Sequence, residues 1–294
     1  MKFCVFTDLH YDGVFDGDRR IAELLQSCKA HQVDFILELG DLCHPTAENQ
    51  KVLTAFRSAG IPCYFSLGNH NTDFCPPETA RSFLGLSSGH YAVVRDNVKF
   101  IFLNAIDRGL SGAYIPASQL RFLEQELADN DLFYVICTHQ SLANDFVTKS
   151  GKPRGIVNRT EVRAILEQRN ADKRRVLFCM NGHEHGAGIR EISGIHYYFQ
   201  NSASYFWQGV KETYPYSRKI HEKYPYLKNM VLYREPLHSI VTIDRLGNVD
   251  IQGMQGHYLS VSPQDIGMEP FWNGVCVLPE TLSLKIPAPT YHTP

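Results

Sequence analysis

The sequence predicts an α/β fold whose strands form one mixed sheet or two packed sheets. Two observations predict it. The opening third alternates short apolar runs with amphipathic helical patterns, a β-α-β-α-β rhythm that calls for parallel strands joined by right-handed crossovers. The back half pairs apolar runs around short turns, as antiparallel hairpins do. A third observation concerns the ends of these runs, several of which finish in side chains that bind metals.

Taken in order, residues 2–7 read as a strand. Residues 18–31 set Ile21, Leu24, Leu25 and Cys28 at helical spacing and predict an amphipathic helix. A second strand follows at 34–39, a helix at 47–59 and a third strand at 62–67. Residues 91–95 and 98–103 flank Asp96-Asn97 and predict a hairpin. Residues 116–128 are helical, with Leu120, Leu123 and Leu127 on one face. A strand at 132–137, a helix at 159–168 and a strand at 176–180 come next. Two further hairpins are expected, 188–192 with 195–199 and 239–244 with 249–252. Residues 205–236 break the rhythm: Trp207, Tyr214, Tyr216, Tyr224, Tyr226 and Tyr233 stand among Lys211, Arg218, Lys219, Lys223 and Lys228. That stretch is either a cap over a site or a structural insertion with a solvated basic face, and the ease with which tyrosine packs with its hydroxyl wet favours the insertion. The tail, 258–294, reads as irregular.

With 294 residues, 44% of them apolar, the chain can bury one large core or two small ones. A net charge of −2 and the absence of a long basic stripe argue against duplex nucleic acid as a partner. No stretch reaches the roughly 18 apolar residues that span a bilayer, and the N-terminus lacks a signal-peptide pattern. A soluble, cytoplasmic protein is expected. The eight cysteines form no C-x-x-C pair, so they read as reduced, mostly core thiols rather than a structural zinc site.

The chemistry is concentrated in five short clusters: Asp8-Leu9-His10, Gly40-Asp41, Gly68-Asn69-His70, Thr138-His139 and Gly182-His183-Glu184-His185. Residues two apart on a continuing strand share a side, so Asp8 and His10 can hold one ion together. Asp41 has two carboxylate oxygens and can bridge two ions, and Gly40 lets the backbone approach closely. Asn69 offers an amide oxygen without adding charge. His139, His183 and His185 offer imidazoles suited to zinc, iron, manganese or nickel. Taken alone, each cluster reads as a turn or a surface histidine. Together, at the ends of parallel strands where ligands collect, they supply enough oxygen and nitrogen for two metal ions sharing a bridge, the equipment of a metal-dependent hydrolase.

In this order the clusters resemble the calcineurin-like metallophosphoesterase superfamily, whose pattern runs D-x-H, G-D, G-N-H, a lone H and G-H-x-H. The resemblance covers residues 1 to roughly 200. It implies a four-layer sandwich, two mixed β-sheets flanked by helices. It implies a catalytic domain over 1–257, with 205–236 as a possible cap insertion and 258–294 as an extension. It also implies ligand sets: Asp8, His10, Asp41 and His185 for one ion, and Asp41, Asn69, His139 and His183 for the other. Two departures stand out. Asn71 occupies the position after Gly68-Asn69-His70 where relatives usually carry Asp or Glu, with Asp73 two further on. His44 stands where many relatives carry an acidic residue or Asn; a polar loop role is favoured for it over contact with the substrate.

Charge counting points to a phosphate substrate. Two divalent ions less Asp8 and Asp41 leave about +2, enough to hold an anion. A water shared by the two ions then becomes the hydroxide that attacks phosphorus. Asp41 and His70 are the catalytic residues expected, with His70 touching the phosphate and assisting the leaving oxygen. A small phosphorylated substrate, with a diester or nucleotide slightly ahead of a monoester, is the expected partner. A scaffold that has kept the fold for protein binding is the other class, disfavoured because every principal metal position is filled.

Overall fold

Side chains alternate across a strand, and the first strand, Lys2–Phe6, uses both faces. Phe3 and Val5 join Phe35, Leu37, Phe100, Phe102 and Val135 in a core between two sheets. Cys4 and Phe6 point the other way, into a cluster with Ile21, Leu24, Val52, Leu53 and Phe56 from two helices. On the far side, Ile101, Leu103, Tyr134 and Ile136 meet Leu123, Val162 and Leu166 of two more. Three apolar interfaces make four layers, helix on sheet on sheet on helix. The computed structural model describes residues 1–289 apart from Asn130, Arg174 and Asn273.

Each main sheet has six strands. In the first, Lys2–Phe6, Phe35–Glu38 and Cys63–Phe65 run parallel, and Ser239–Ile243 pairs antiparallel to the first of them. In the second, Val98–Leu103, Phe133–Thr138, Val176–Asn181 and Ile195–Phe199 run parallel, with a hairpin strand at each edge. Parallel strands need long crossovers, and the helices Gly17–Ala30, Gln50–Ser58 and Arg159–Asp172 serve that purpose. The carboxyl ends of both parallel sets emerge at one end of the sandwich.

Three parts differ from expectation. A helix, Pro77–Leu84, begins on a proline and stops at Gly85 in the left-handed region (φ 77°). Its start and stop signals were present, but its apolar stripe is too short to stand out. The tail is not irregular throughout. It forms a ribbon, Phe271–Trp272 with Val275–Cys276, and its strand Leu284–Ile286 pairs with Val249–Gly253 at the edge of the first sheet. A three-residue strand has almost no periodicity to detect, and pairing along an exposed edge is what forms it. Residues 290–294 lie outside the described residues.

Stretch 205–236 is only partly the solvated basic insertion favoured from sequence. It is closed at its base by Tyr205–Trp207 pairing antiparallel with Met230–Leu232, and it carries the short helix Arg218–Lys223. Lys211, Arg218 and Lys219 are exposed, as that reading required. Arg20, fully buried on the first helix, fastens the insertion. Its guanidinium donates to Asp16 Oδ1 (2.8 Å), to Ala203 O (3.1 Å) and to Tyr233 O (2.5 Å).

Candidate metal centre

The side chains at the common end of the sheets sit on unusual backbone. Among the described residues, eight other than glycine have positive φ, and five of them are Asp8 (50°), His10 (45°), Asp41 (62°), His183 (67°) and His185 (52°). Left-handed geometry costs such residues of order 1–3 kcal/mol each and persists only where the surroundings impose it. This corrects the picture of Asp8 and His10 on a continuing strand. The strand ends at Phe6, and the next residues bond to the neighbouring loop, Asp8 N–H to Gly40 O (2.9 Å) and His10 N–H to Asp41 O (3.0 Å).

Gly40 shows how closely these loops pack. Its φ is 109°, and a Cβ there would lie 2.5 Å from His139 Nδ1 and 2.9 Å from the Gly68 nitrogen. Only glycine fits. His139 Nδ1 is 2.9 Å from Leu39 O, so its N–H donates there and Nε2 is left facing the centre. His185 is set the same way, with Nδ1 2.9 Å from Tyr205 O. Such outer hydrogen bonds fix the tautomer of a metal-ligating histidine.

Each carboxylate has one oxygen tied and one free. Asp8 Oδ2 accepts from Thr7 Oγ1 (2.7 Å) and from His183 N–H (2.9 Å). Asp41 Oδ1 accepts from His70 N–H (2.9 Å). Among the described residues, the buried Asp8 Oδ1, Asp41 Oδ2 and His139 Nε2 have no hydrogen-bond partner. Orphaned buried atoms of this kind are costly, yet these three face one another. His139 Nε2 lies 3.0 Å from Asp41 Oδ2, His185 Nε2 lies 3.2 Å from Asp8 Oδ1, and the Nε2 atoms of His10 and His185 are 3.1 Å apart. Two overlapping groups follow, Asp8–His10–His185 and Asp8–Asp41–His139. Lone pairs converging on one another fit a cation. Burial would depress the His139 imidazole, but the Asp41 and Asp8 carboxylates outweigh it and lift it to about 10. Burial would raise Asp8, but His185 and His139 hold it well below the usual carboxylate range.

The remaining expected residues fall as follows. The His183 ring packs edge-on against His139 at 5.2 Å between centroids. Asn69 Oδ1 accepts from Gln140 Nε2 (3.4 Å), which puts its carboxamide beside the His139 loop. His70 stands over the centre, its ring 5.2 Å from that of His10. Both departures acquire a role. Asp73 Oδ2 is 2.6 Å from His70 Nδ1, so a carboxylate holds that ring even though position 71 is not acidic. Asn71 is buried between loops: its Oδ1 accepts from the backbone N–H of Asp41 (3.2 Å) and of Gly68 (2.8 Å), and its Nδ2 donates to Cys43 O (3.0 Å). His44 sits in a loop, its backbone N–H donating to Asp12 Oδ2 (2.6 Å). It lines the cleft with its ring edge-on to Phe74 at 4.9 Å.

The cleft over the centre has a volume of about 600 Å³. Sequence reasoning missed one of its charged walls and held the other, in 205–236, only as the less favoured cap reading. Arg154 Nε is 3.4 Å from Glu184 Oε2, and Arg154 Nη2 donates to His183 O (3.2 Å). The signal was loop length. The connection from Thr138 to Arg159 is long for a strand-to-helix link, and such loops are usually functional. The other wall comes from the insertion, through Trp207, Lys223, Tyr224 and Tyr226.

A sandwich of mixed sheets with carboxylates and imidazoles gathered at the strand ends defines a metal-dependent hydrolase class. Residues 1–205 match the family model of calcineurin-like phosphoesterases. The chain belongs to that family and is, by it, a metal-dependent phosphoesterase. No curated protein matches it in sequence. Its fold is similar to a dimetal phosphatase from Danio rerio, at TM-score 0.62 and 12% identity over 89% of this chain and 99% of that one. It is similar to a purple acid phosphatase from yellow lupin seeds, at TM-score 0.55 and 13% identity over 85% of this chain and 50% of that one. It is also similar to GAP50, the anchor in the inner membrane complex of Plasmodium, at TM-score 0.57 and 12% identity over 98% and 89% of the two chains. Among the described residues, no helix is long and apolar enough to cross a membrane.

Proposed function

We propose that the protein hydrolyses a phosphoester with two divalent transition-metal ions, manganese, iron, zinc or nickel. Asp8, His10, Asp41 and His185 would hold one ion, and Asp41, Asn69, His139 and His183 the other, with Asp41 shared. The observation that carries this is the convergence of three orphaned buried atoms, Asp8 Oδ1, Asp41 Oδ2 and His139 Nε2. Two ions held there would supply an activated water and neutralise charge on the phosphate.

The chain's own residues do the rest. His70 is half-exposed above the centre, where it can touch a phosphate oxygen and give a proton to the leaving oxygen. Asp73 holds that ring and supports its protonated form. Arg154, braced by Glu184, adds a guanidinium for a non-bridging phosphate oxygen. A cleft of about 600 Å³ leaves room for an organic group on the phosphate, which favours a diester or nucleotide over a small monoester. The unpaired thiols fit a reducing, cytoplasmic setting.

A second reading, a scaffold, draws on the likeness to GAP50. A cluster kept only for its shape has no use for buried atoms left without partners, so hydrolysis is the stronger reading. Turnover of bis-p-nitrophenyl and p-nitrophenyl phosphate with added manganese tests it. The diester is expected to turn over at least as fast as the monoester, and His70→Ala to lose about 10²-fold or more in rate while keeping its metal. No turnover of either ester with any of the four metals contradicts the proposal. A His70→Ala enzyme at full rate contradicts the role of that ring.

A further inference from the structure

Three large aromatic side chains at the mouth of the cleft have no core to fill. Phe74 is 80% exposed, Tyr226 64% and Trp207 42%. Single exposed aromatics are ordinary, but these three line one cleft. They reach the centre from two different segments. The His10 ring has both His70 and Tyr205 beside it, each at 5.2 Å between centroids. Phe74 follows His70 on the first loop, and Trp207 follows Tyr205 on the second strand of approach.

Trp207 and Tyr226 form a corner, their centroids 6.1 Å apart and their planes at 57°. One ring can therefore offer its face to a ligand while the other meets its edge. Among the described residues, the Trp207 indole N–H and the Tyr226 hydroxyl have no hydrogen-bond partner, so the corner also offers polar edges. Lys223 lines the same wall, its Nζ 5.1 Å from the centre of the Tyr224 ring, and adds positive charge. A phenyl group would use only the faces. A heteroaromatic ring with donors and acceptors on its rim, carried on an anion, uses all of it.

We propose that this wall is a leaving-group subsite for a nucleobase, with Trp207 and Tyr226 as its specificity-determining residues and Phe74, from the His70 loop, lining the same cleft. The assignment deepens the phosphoesterase reading and rests on it for turnover, but base binding can be measured apart from it.

The test matches pairs that share a leaving oxygen and differ only in the base: adenosine 5′-monophosphate against ribose 5-phosphate, and the methyl esters of both. The metal-loaded enzyme is expected to favour the base-bearing member by about tenfold or more in kcat/KM. Trp207→Ala and Tyr226→Ala should each lower that ratio several-fold. Binding is read separately in Trp272→Phe, which leaves Trp207 as the one remaining tryptophan of two. The hydrolysis-resistant phosphonate isostere of adenosine 5′-monophosphate should quench its fluorescence, and the base-free phosphonate should not. Quenching without turnover of any ester upholds the subsite and removes the phosphoesterase reading. A ratio near one, or absence of quenching, overturns the subsite. Equal quenching by benzylphosphonate overturns the nucleobase assignment in favour of simple aryl groups.

Discussion

Asn71 and Asp73 show how two residues can exchange duties within one loop. The amide of Asn71 uses both its acceptor and its donor, bonding the Asp41 and Gly68 nitrogens on one side and Cys43 O on the other. A carboxylate there would face Cys43 O with an oxygen and lose the donor. Asn71→Asp should therefore destabilise the protein by about 1–3 kcal/mol, read as a lower urea midpoint, and should not raise activity. An unchanged midpoint would show that the amide is not bracing the loops. Asp73→Asn should reduce kcat about 10-fold or more with metal content unchanged, as is usual when a partner behind a reacting group is lost. The sequence alone exposed the missing acid but not its replacement, because the hydrogen bond from His70 to Asp73 depends on a turn that only folding creates. The ligand-type residues were legible for the opposite reason: each follows an apolar run whose end is easy to find.

At the scale of elements, the strand ends and the insertion behave differently. The parallel strands and their crossover helices follow from periodicity, and the five clusters fall at their ends, so this part could be read directly. The turns that present Asp8, His10, Asp41, His183 and His185 could not. Their left-handed backbone is imposed by bonds between loops distant in sequence, such as Asp8 N–H to Gly40 O. The insertion was ambiguous because Lys211, Arg218 and Lys219 do face solvent while Lys223 and its aromatic neighbours face the cleft. No pattern in one sequence separates the two sets. Arg20 ties this element to the first helix through carbonyls at both of its ends, Ala203 and Tyr233. Arg20→Leu leaves those buried carbonyls without their donor, while Asp16 keeps Arg19 (2.5 Å), and should cost about 1–3 kcal/mol. Thermal unfolding should show the loss, and limited proteolysis should find cleavage within 205–236 before the rest of the chain. A variant with unaltered melting and no earlier cleavage would remove Arg20 from that role.

For the whole molecule, the layering explains why chemistry gathers at one end. Two sheets share the core of Phe3, Phe35, Phe100 and Val135, and their parallel strands deliver Asp8, His10 and Asp41 from the first sheet and His139, His183 and His185 from the second to a common edge. Neither sheet alone holds a complete set: Asp8 and Asp41 come from one, His139 and His183 from the other. The site therefore reports on the packing of the sandwich, and a ligand that binds only the assembled set stabilises the fold by mass action. The edge strand Leu284–Ile286 escaped sequence reading because a short strand takes its structure from the edge it covers.

The central claim is that this edge is a paired-cation site with Asp41 common to both ions. Metal content after equilibrium dialysis against manganese tests it most directly. The account predicts about two ions per chain in the native protein, and marked loss of both in Asp41→Asn. Trace metal in the native protein, or an undiminished pair in Asp41→Asn, would contradict it.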